Sequence, residues 1–337
     1  MPLLTALKDA GLINVPADAQ RPVSDFGDPL KEYQAAWTSA ALVVEHGFGM
    51  MTVTGEDRAK FLHNFCTNDI KKMQPGETCE AFFCNVKGRI LAVAVIICES
   101  DCFRVLTDES RVEFLHQHLD KYLITEDVTL TVDDNVEPLL ISGKNEELDQ
   151  MMSSFSAVGL FPWDNGFRPS AWLIGPTETL VEAVKKCVAQ GAVIAGHTAW
   201  EIIRLSEAFP NYGVDVSDDN LAQEANRNEQ AISFTKGCYL GQEPIARLDA
   251  MGHVNRQLEQ FTWYEDSEKP PVVGKPVLNE SGEEVGTITS SCQMINTGET
   301  KLDYERGFAL AMVKVKALGG LLTAANEDGQ PVTLRKE

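Results

Sequence analysis

An α+β fold is predicted, with strands and helices interleaved along most of the chain and short strands alone at its end. Three observations predict it. Between about residues 50 and 135, strand patterns alternate with helix patterns in the manner of a ferredoxin-like unit. A second strand–helix–strand group of similar order follows between Leu139 and Gly191, although no sequence repeat accompanies it. After Arg256 the pattern changes to short strands separated by turn residues, which predicts a small β-barrel. The chain therefore divides into an N-terminal arm (1–35), a region of two α+β lobes (36–255) and a C-terminal β-barrel (256–337).

The elements follow in order. A short helix is expected near Leu4–Ala10, and the prolines Pro16, Pro22 and Pro29 then favour an extended arm. The apolar content from Trp37 to Met51 predicts strands. Thr54-Gly55-Glu56-Asp57 has the form of a capping box, and Phe61, Leu62, Phe65 and Cys66 supply one buried face of the helix after it. Ala81–Cys84 and Ile90–Cys98 read as strands joined by the turn Asn85–Arg89, the second apolar enough to be buried on both faces. Asp101–Leu106 is a strand, Glu109–Leu123 an amphipathic helix, and Val128–Val132 a strand. His116 and His118, two apart, point from different helix faces, so no metal pair is expected there. Strands at Leu139–Ser142 and Ala171–Gly175 flank a helix over Asn145–Ser154 and a loop over Gly159–Phe167. The helix Glu178–Gln190 should close at Gly191. Thr198-Ala199-Trp200-Glu201 has capping-box form, with a helix running to about Ala208. In the barrel region, Pro276–Leu278 and Val285–Ser290 form a hairpin, and Gly307–Val315 is a further strand.

Composition limits the function. Of 337 residues, 44% are hydrophobic and 23% charged, an ordinary globular balance with ample material for a core. The excess of 50 acidic over 29 basic residues gives a formal charge of −21, which repels nucleic-acid backbones and anionic membranes. Neither is an expected direct partner. The eight cysteines include no Cys-x-x-Cys pair and no zinc spacing, so reduced thiols in a cytoplasm are expected and no metal site. The first residues, Met1–Gly11, lack a signal-peptide core, and the longest apolar run, Ile90–Cys98, is too short to span a bilayer.

The densest chemistry lies in Lys236-Gly237-Cys238-Tyr239-Leu240-Gly241-Gln242-Glu243-Pro244-Ile245-Ala246-Arg247. Two glycines bracket a thiol and a phenol, so a tight loop is expected. Gln242, Glu243 and Arg247 follow with planar hydrogen-bonding groups that suit a ligand with amide-like edges and a carboxylate. Composition alone equally allows a glycine-rich connector around an inert cysteine.

Lys-Gly-Cys-Tyr-x-Gly-Gln-Glu followed by Ala-Arg resembles the signature of the YgfZ family of folate-binding proteins, relatives of the aminomethyltransferase (T-protein) of the glycine cleavage system. Gly55-Glu56-Asp57-Arg58…Thr67-Asn68-Asp69, Asn85-Val86-Lys87-Gly88-Arg89 and the order Arg204…Pro210…Asp215…Glu224-Ala225…Phe234 extend the resemblance over roughly residues 40–260. It implies a T-protein-like fold and a tetrahydrofolate-type cofactor. The residues placed at that site are Asn85, Lys87, Arg204, Glu224, Lys236, Tyr239, Gln242, Glu243 and Arg247. Arg204 could equally be a structural partner of Glu201 or Glu207. Cys238 is the candidate reactive group, since neighbouring cations lower a thiol's pKa, and the family links it to iron–sulfur cluster assembly or repair, in some members through enzymes that modify tRNA. Two positions depart from T-proteins. Ala92-Val93 stand where the transferase acid is expected, and Ser206 stands where a folate-contacting Glu is expected. A binding role rather than turnover follows. The rival readings are a folate-dependent aminomethyl or one-carbon transferase and an interaction protein that has lost its ligand.

Overall fold

The computed structural model describes residues 2–15, 20–132, 136–143, 151, 158–164, 169–264, 269–292 and 306–336. The chain forms two compact units. One comprises residues 1–81 and 94–203, the other residues 82–93 and 204–337.

The first unit opens with α1 (Pro2–Asp9) and α2 (Pro29–Thr38), followed by β1 (Ala40–Val43), β2 (Phe48–Thr54) and α3 (Arg58–Phe65). Next come β3 (Thr78–Cys84), β4 (Ile90–Cys98), β5 (Phe103–Asp108), α4 (Glu109–Asp120) and β6 (Thr129–Val132). β7 (Val136–Gly143), β8 (Gly159–Asp164), β9 (Pro169–Pro176), α5 (Thr177–Ala189), β10 (Val193–Ala195) and α6 (His197–Ser206) complete this stretch. Two five-stranded sheets result, in the orders β10-β1-β7-β9-β8 and β3-β4-β5-β2-β6. β1 and β10 run parallel, whereas β1 with β7 and β2 with β5 run antiparallel. All nine residues of β4 are buried, as its unbroken apolar run predicts.

The short helix expected near Leu4–Ala10 is α1, whereas the end of the arm expected to be extended is the helix α2. Leu3, Leu4 and Leu7 of α1 join Leu180, Val181 and Val184 of α5 in one core cluster. The Asp28 carboxylate caps α2 by accepting from the Lys31 N–H at 3.1 Å, with Pro29 in the first turn. Trp37 thus belongs to a helix, not to a strand. Two capping boxes are displaced. α3 begins at Arg58, and the Asp57 side chain accepts from the Asp127 N–H at 3.1 Å instead of closing on the helix. α6 begins at His197, which puts Thr198 inside its first turn. Glu201 lies one turn on from His197, 3.6 Å from its Nε2. The loop expected over Gly159–Phe167 is strand β8 as far as Asp164, drawn into register by β9. The helix expected over 145–154 lies outside the described residues, Met151 excepted.

In the second unit a 3-10 turn (Ala222–Ala225), α7 (Asn228–Ala231) and α8 (Gln242–Met251) precede β11 (Arg256–Tyr264). β12 (Pro276–Leu278), β13 (Glu284–Ser291), β14 (Arg306–Lys314), β15 (Leu322–Ala325) and β16 (Pro331–Leu334) follow. The six strands form one antiparallel sheet ordered β11-β14-β13-β12-β15-β16. It curls into a half-barrel, and the outer strands meet where Thr262 and Arg335 exchange backbone hydrogen bonds of 2.8 and 2.9 Å. Phe261, Val277, Ile288, Val313 and Leu334 are among its core residues. The division between units cuts β3 and β4, so the hairpin tip, 82–93, belongs to this second unit.

Candidate functional site

Three segments of the second unit build the site: the turn 85–89, the strand-like stretch 219–222 with its 3-10 turn, and α8. Asn85 organises the first. Its Oδ1 accepts from the Lys87 and Arg89 N–H groups at 2.9 and 3.2 Å, and its carbonyl accepts from the Gly88 N–H at 2.9 Å. This local pattern leaves Lys87 exposed at the tip. The turn then docks on 219–222. The Ile90 N–H donates to the Asn220 carbonyl at 3.0 Å and the Ala222 N–H to the Gly88 carbonyl at 3.2 Å. Arg89 Nη1 donates to the Asp219 carbonyl.

The central motif is a loop only as far as Gly241. There φ is +84°, and α8 begins at the next residue. The loop expected between the two glycines is present, and Gln242, Glu243 and Arg247, which follow it, are helical. Gln242 N–H donates to the Tyr239 carbonyl at 3.1 Å. Ile245 anchors α8, being only 1% exposed. Gln223 Nε2 donates to the Ile245 carbonyl at 2.8 Å, which ties the 3-10 turn to the helix. Gln223 Oε1 is buried and makes no hydrogen bond among the described residues.

These segments enclose a cleft of about 380 Å³ with Lys87, Arg89 and Arg247 as its cations and Leu221, Pro244, Leu248 and Met251 as apolar lining. Lys72, Arg104, Lys185, Arg204, Arg256 and Lys269 each have a carboxylate within 3.3 Å. Among the described residues, Lys87, Arg89 and Arg247 have none. Three unneutralised cations in one cleft stand out on a chain with 50 acidic residues, and an anion is the chemistry that completes them.

The structure brings Lys87 and Arg247 together and adds Arg89, which the sequence reading passed over although it closes the Asn-x-Lys-Gly-Arg pattern. Lys236, Cys238, Tyr239, Gln242 and Glu243 lie on the approach to α8 or in its first turn. Lys236 is nearly buried, its Nζ 4.8 Å from the centre of the Tyr239 ring. Cys238 is exposed. Glu224 is held elsewhere. It accepts from Asn220 Nδ2 at 2.9 Å and pairs with Arg256 at 3.3 Å. Arg204 is buried, and it pairs with Asp215. Nη1 meets Asp215 Oδ2 at 2.8 Å and Nη2 donates to Ser290 Oγ at 2.9 Å. That geometry serves the fold, because the carboxylate is in turn satisfied by the Ser290 and Thr289 hydroxyls at 2.7 and 2.6 Å. Ala92 and Val93 are buried in β4 and carry no group able to move a proton.

A second, larger cavity of about 660 Å³ sets Asp215, Asp219 and Glu284 against Arg256 and Lys314, a charge balance less suited to an anion. Among the described residues, one cluster has metal-ligand character, Glu99, Asp101 and Cys102. Glu99 is already bound by Arg104 at 2.7 Å.

The GCVT N-terminal domain matches residues 21–155. The tRNA-modifying protein YgfZ of Colwellia psychrerythraea is 25% identical over 232 residues, 63% of this chain and 71% of that protein. The YgfZ of Photorhabdus laumondii is 25% identical over 301 residues, 83% and 86% of the two chains. The chain is thus similar to YgfZ proteins over most of its length and carries a GCVT N-terminal domain match. The crystal structure of the glycine cleavage system aminomethyltransferase T from Bartonella henselae superposes with a TM-score of 0.76 at 15% identity, covering 99% of this chain and 95% of that one. This chain thus shares the fold of the aminomethyltransferase, an α+β architecture with a curled C-terminal sheet. Among the described residues no helix is long and apolar enough to cross a membrane.

Proposed function

We propose that this protein binds tetrahydrofolate or a derivative at the cleft beside α8 and supports iron–sulfur cluster assembly or repair in the cytoplasm, through cluster-dependent enzymes that modify tRNA. The observation that carries the binding half is the set of three cations that have no carboxylate partner among the described residues, Lys87, Arg89 and Arg247, beside an apolar wall. A folate's tail offers a benzoyl ring for Leu221, Pro244, Leu248 and Met251 and carboxylates for the cations. The similarity to YgfZ proteins that are tRNA-modifying supports the second half.

Turnover is not part of the proposal. Aminomethyl transfer needs a group that carries or electrostatically compensates a proton at the reacting nitrogen, and Ala92 and Val93 offer neither. Cys238 is the group proposed to serve cluster chemistry. A cluster needs about four such ligands, so the thiol would act on a partner's cluster or as one ligand among several from elsewhere. No direct contact with nucleic acid is proposed, given the charge of −21.

Calorimetric titration with tetrahydrofolate tests the binding half. Saturable micromolar binding by the wild type, weakened about tenfold or more in Arg247→Ala through loss of a charge-assisted contact, supports it. Absence of binding to any reduced folate removes it. For the second half, Cys238→Ser should fail to restore cluster-enzyme activity in cells lacking the wild-type protein, and full restoration would refute the role of the thiol.

A further inference from the structure

We propose that the cleft between the 85–89 turn and α8 is built for an oligo-γ-glutamyl chain, so that the ligand is a polyglutamylated reduced folate and Arg89 determines that preference. This rests on the folate reading above and names which folate. A monoglutamyl tail brings two carboxylates, whereas the cleft presents three cations, none paired with a protein carboxylate among the described residues. Each added γ-glutamyl unit brings one more carboxylate, so the third cation is matched only by a longer chain. The surrounding protein, at −21, repels every one of those carboxylates. Length therefore raises affinity only where local cations outweigh the overall field.

Arg89 is placed to receive the extension. Its Nη1 and the Nη2 of Arg256 both donate to the Asp219 carbonyl oxygen, the latter at 3.2 Å. Two guanidinium groups thus converge on one backbone atom at the border between the cleft and the larger cavity. Arg256 is neutralised by Glu224, and Arg89 is not. The N–H groups of Arg89 that its bond to Asp219 leaves over suit carboxylate contact. The remaining lining agrees. A γ-linked chain carries two methylenes per unit between its amides, and these have Leu221, Leu248 and Met251 to lie against. A polynucleotide backbone would be better served by cations strung along a surface than by three gathered in one cleft of about 380 Å³.

The test measures binding of mono-, tri- and penta-γ-glutamyl tetrahydrofolate to the full chain, to Lys87→Gln and to Arg89→Gln, at low and at physiological salt. Folding of each variant is verified by circular dichroism. Lys87 is exposed, so its substitution leaves a usable variant even if Arg89→Gln disturbs the turn. The expected result is about tenfold tighter binding from one to three glutamates, a gain that shrinks with salt. In Arg89→Gln most of the gain is lost while monoglutamyl affinity falls less, and in Lys87→Gln every length binds more weakly while more of the gain remains. Equal affinity for all lengths overturns this inference and leaves the folate reading intact. Failure of every folate to bind removes both. Displacement of bound folate by transfer RNA, with none by free oligo-γ-glutamate, assigns the cations to phosphates and also overturns it.

Discussion

Gly241 packs so tightly on the carbonyl oxygen of Asn85 that a Cβ at position 241 would collide with it. The contact joins the turn that presents Lys87 and Arg89 to the helix that presents Arg247. Glycine is required there twice, for the close approach and for a φ of +84°. Gly241→Ala should cost about 1–3 kcal/mol from the left-handed backbone alone. Because this contact holds the start of α8 against the turn, the variant should also bind folate more weakly at temperatures where it remains folded. Urea denaturation and calorimetry check the two effects separately. Wild-type values in both would show that the contact does not position the cleft.

Arg204 and Asp215 predict a different phenotype. Their side chains are 1% and 0% exposed and 2.8 Å apart, and removal of one partner strands a buried charge. Arg204→Ala should destabilise the protein by about 3–5 kcal/mol. The double variant Arg204→Met, Asp215→Leu should be less damaging than the sum of the single changes. Folate affinity of the folded fraction should be unchanged. A large loss of affinity without loss of stability would return Arg204 to the ligand site.

His46 should give the first unit a measurable acid sensitivity. Burial holds its pKa down to about 4, against an ordinary value of 6.5. Nε2 donates to the Pro138 carbonyl at 3.0 Å and Nδ1 accepts from the Phe48 N–H at 3.1 Å, which fixes a neutral ring. Between about pH 6.5 and 4 the unfolded chain binds a proton at this position that the native chain refuses. Stability therefore falls as pH falls through that window, by on the order of 3 kcal/mol at most. Glu32, Glu45 and Glu137 work against this slope, since burial raises their pKa values and their contribution is lost as pH rises. The comparison of wild type with His46→Gln isolates the histidine. The variant should lose part of the decline between pH 6.5 and 4, and an identical pH profile would contradict the assignment.

Cys238 should be the first thiol to react. It is exposed, Cys79 is half-buried, and the other six are buried. Burial also pushes the Cys102 and Cys187 thiols up to about 11, away from the reactive thiolate. A short iodoacetamide pulse on the native protein should give one dominant adduct, mapped to Cys238 by mass spectrometry, and eight in denaturant. Preferential labelling at another cysteine would contradict the placement of the motif loop.

The sequence made β4, the end of α5 at Gly191 and the C-terminal strands legible, because each rests on a local pattern: an unbroken apolar run, a C′ glycine, an alternation between turns. Helix α2 was equally announced by Asp28 and Pro29, but the prolines around it favoured an extended arm. Strand β8 was hidden, since Pro162 and the flanking glycines read as loop until β9 supplies a pairing partner. At the site, the motif identified Lys87 and Arg247, yet which cations remain unpaired is a tertiary fact. Arg204 meets a carboxylate eleven residues along the chain, Glu224 meets Arg256, and Arg89 meets no carboxylate among the described residues. No one-dimensional spacing separates these three outcomes.

The central claim is that the cations beside α8 hold the carboxylates of a reduced folate. Calorimetric titration of the wild type and Arg247→Ala with tetrahydrofolate, repeated at two salt concentrations, tests it most directly. The account predicts micromolar, salt-sensitive binding that falls about tenfold or more in the variant. Binding of equal strength in the two proteins, unaffected by salt, would contradict it.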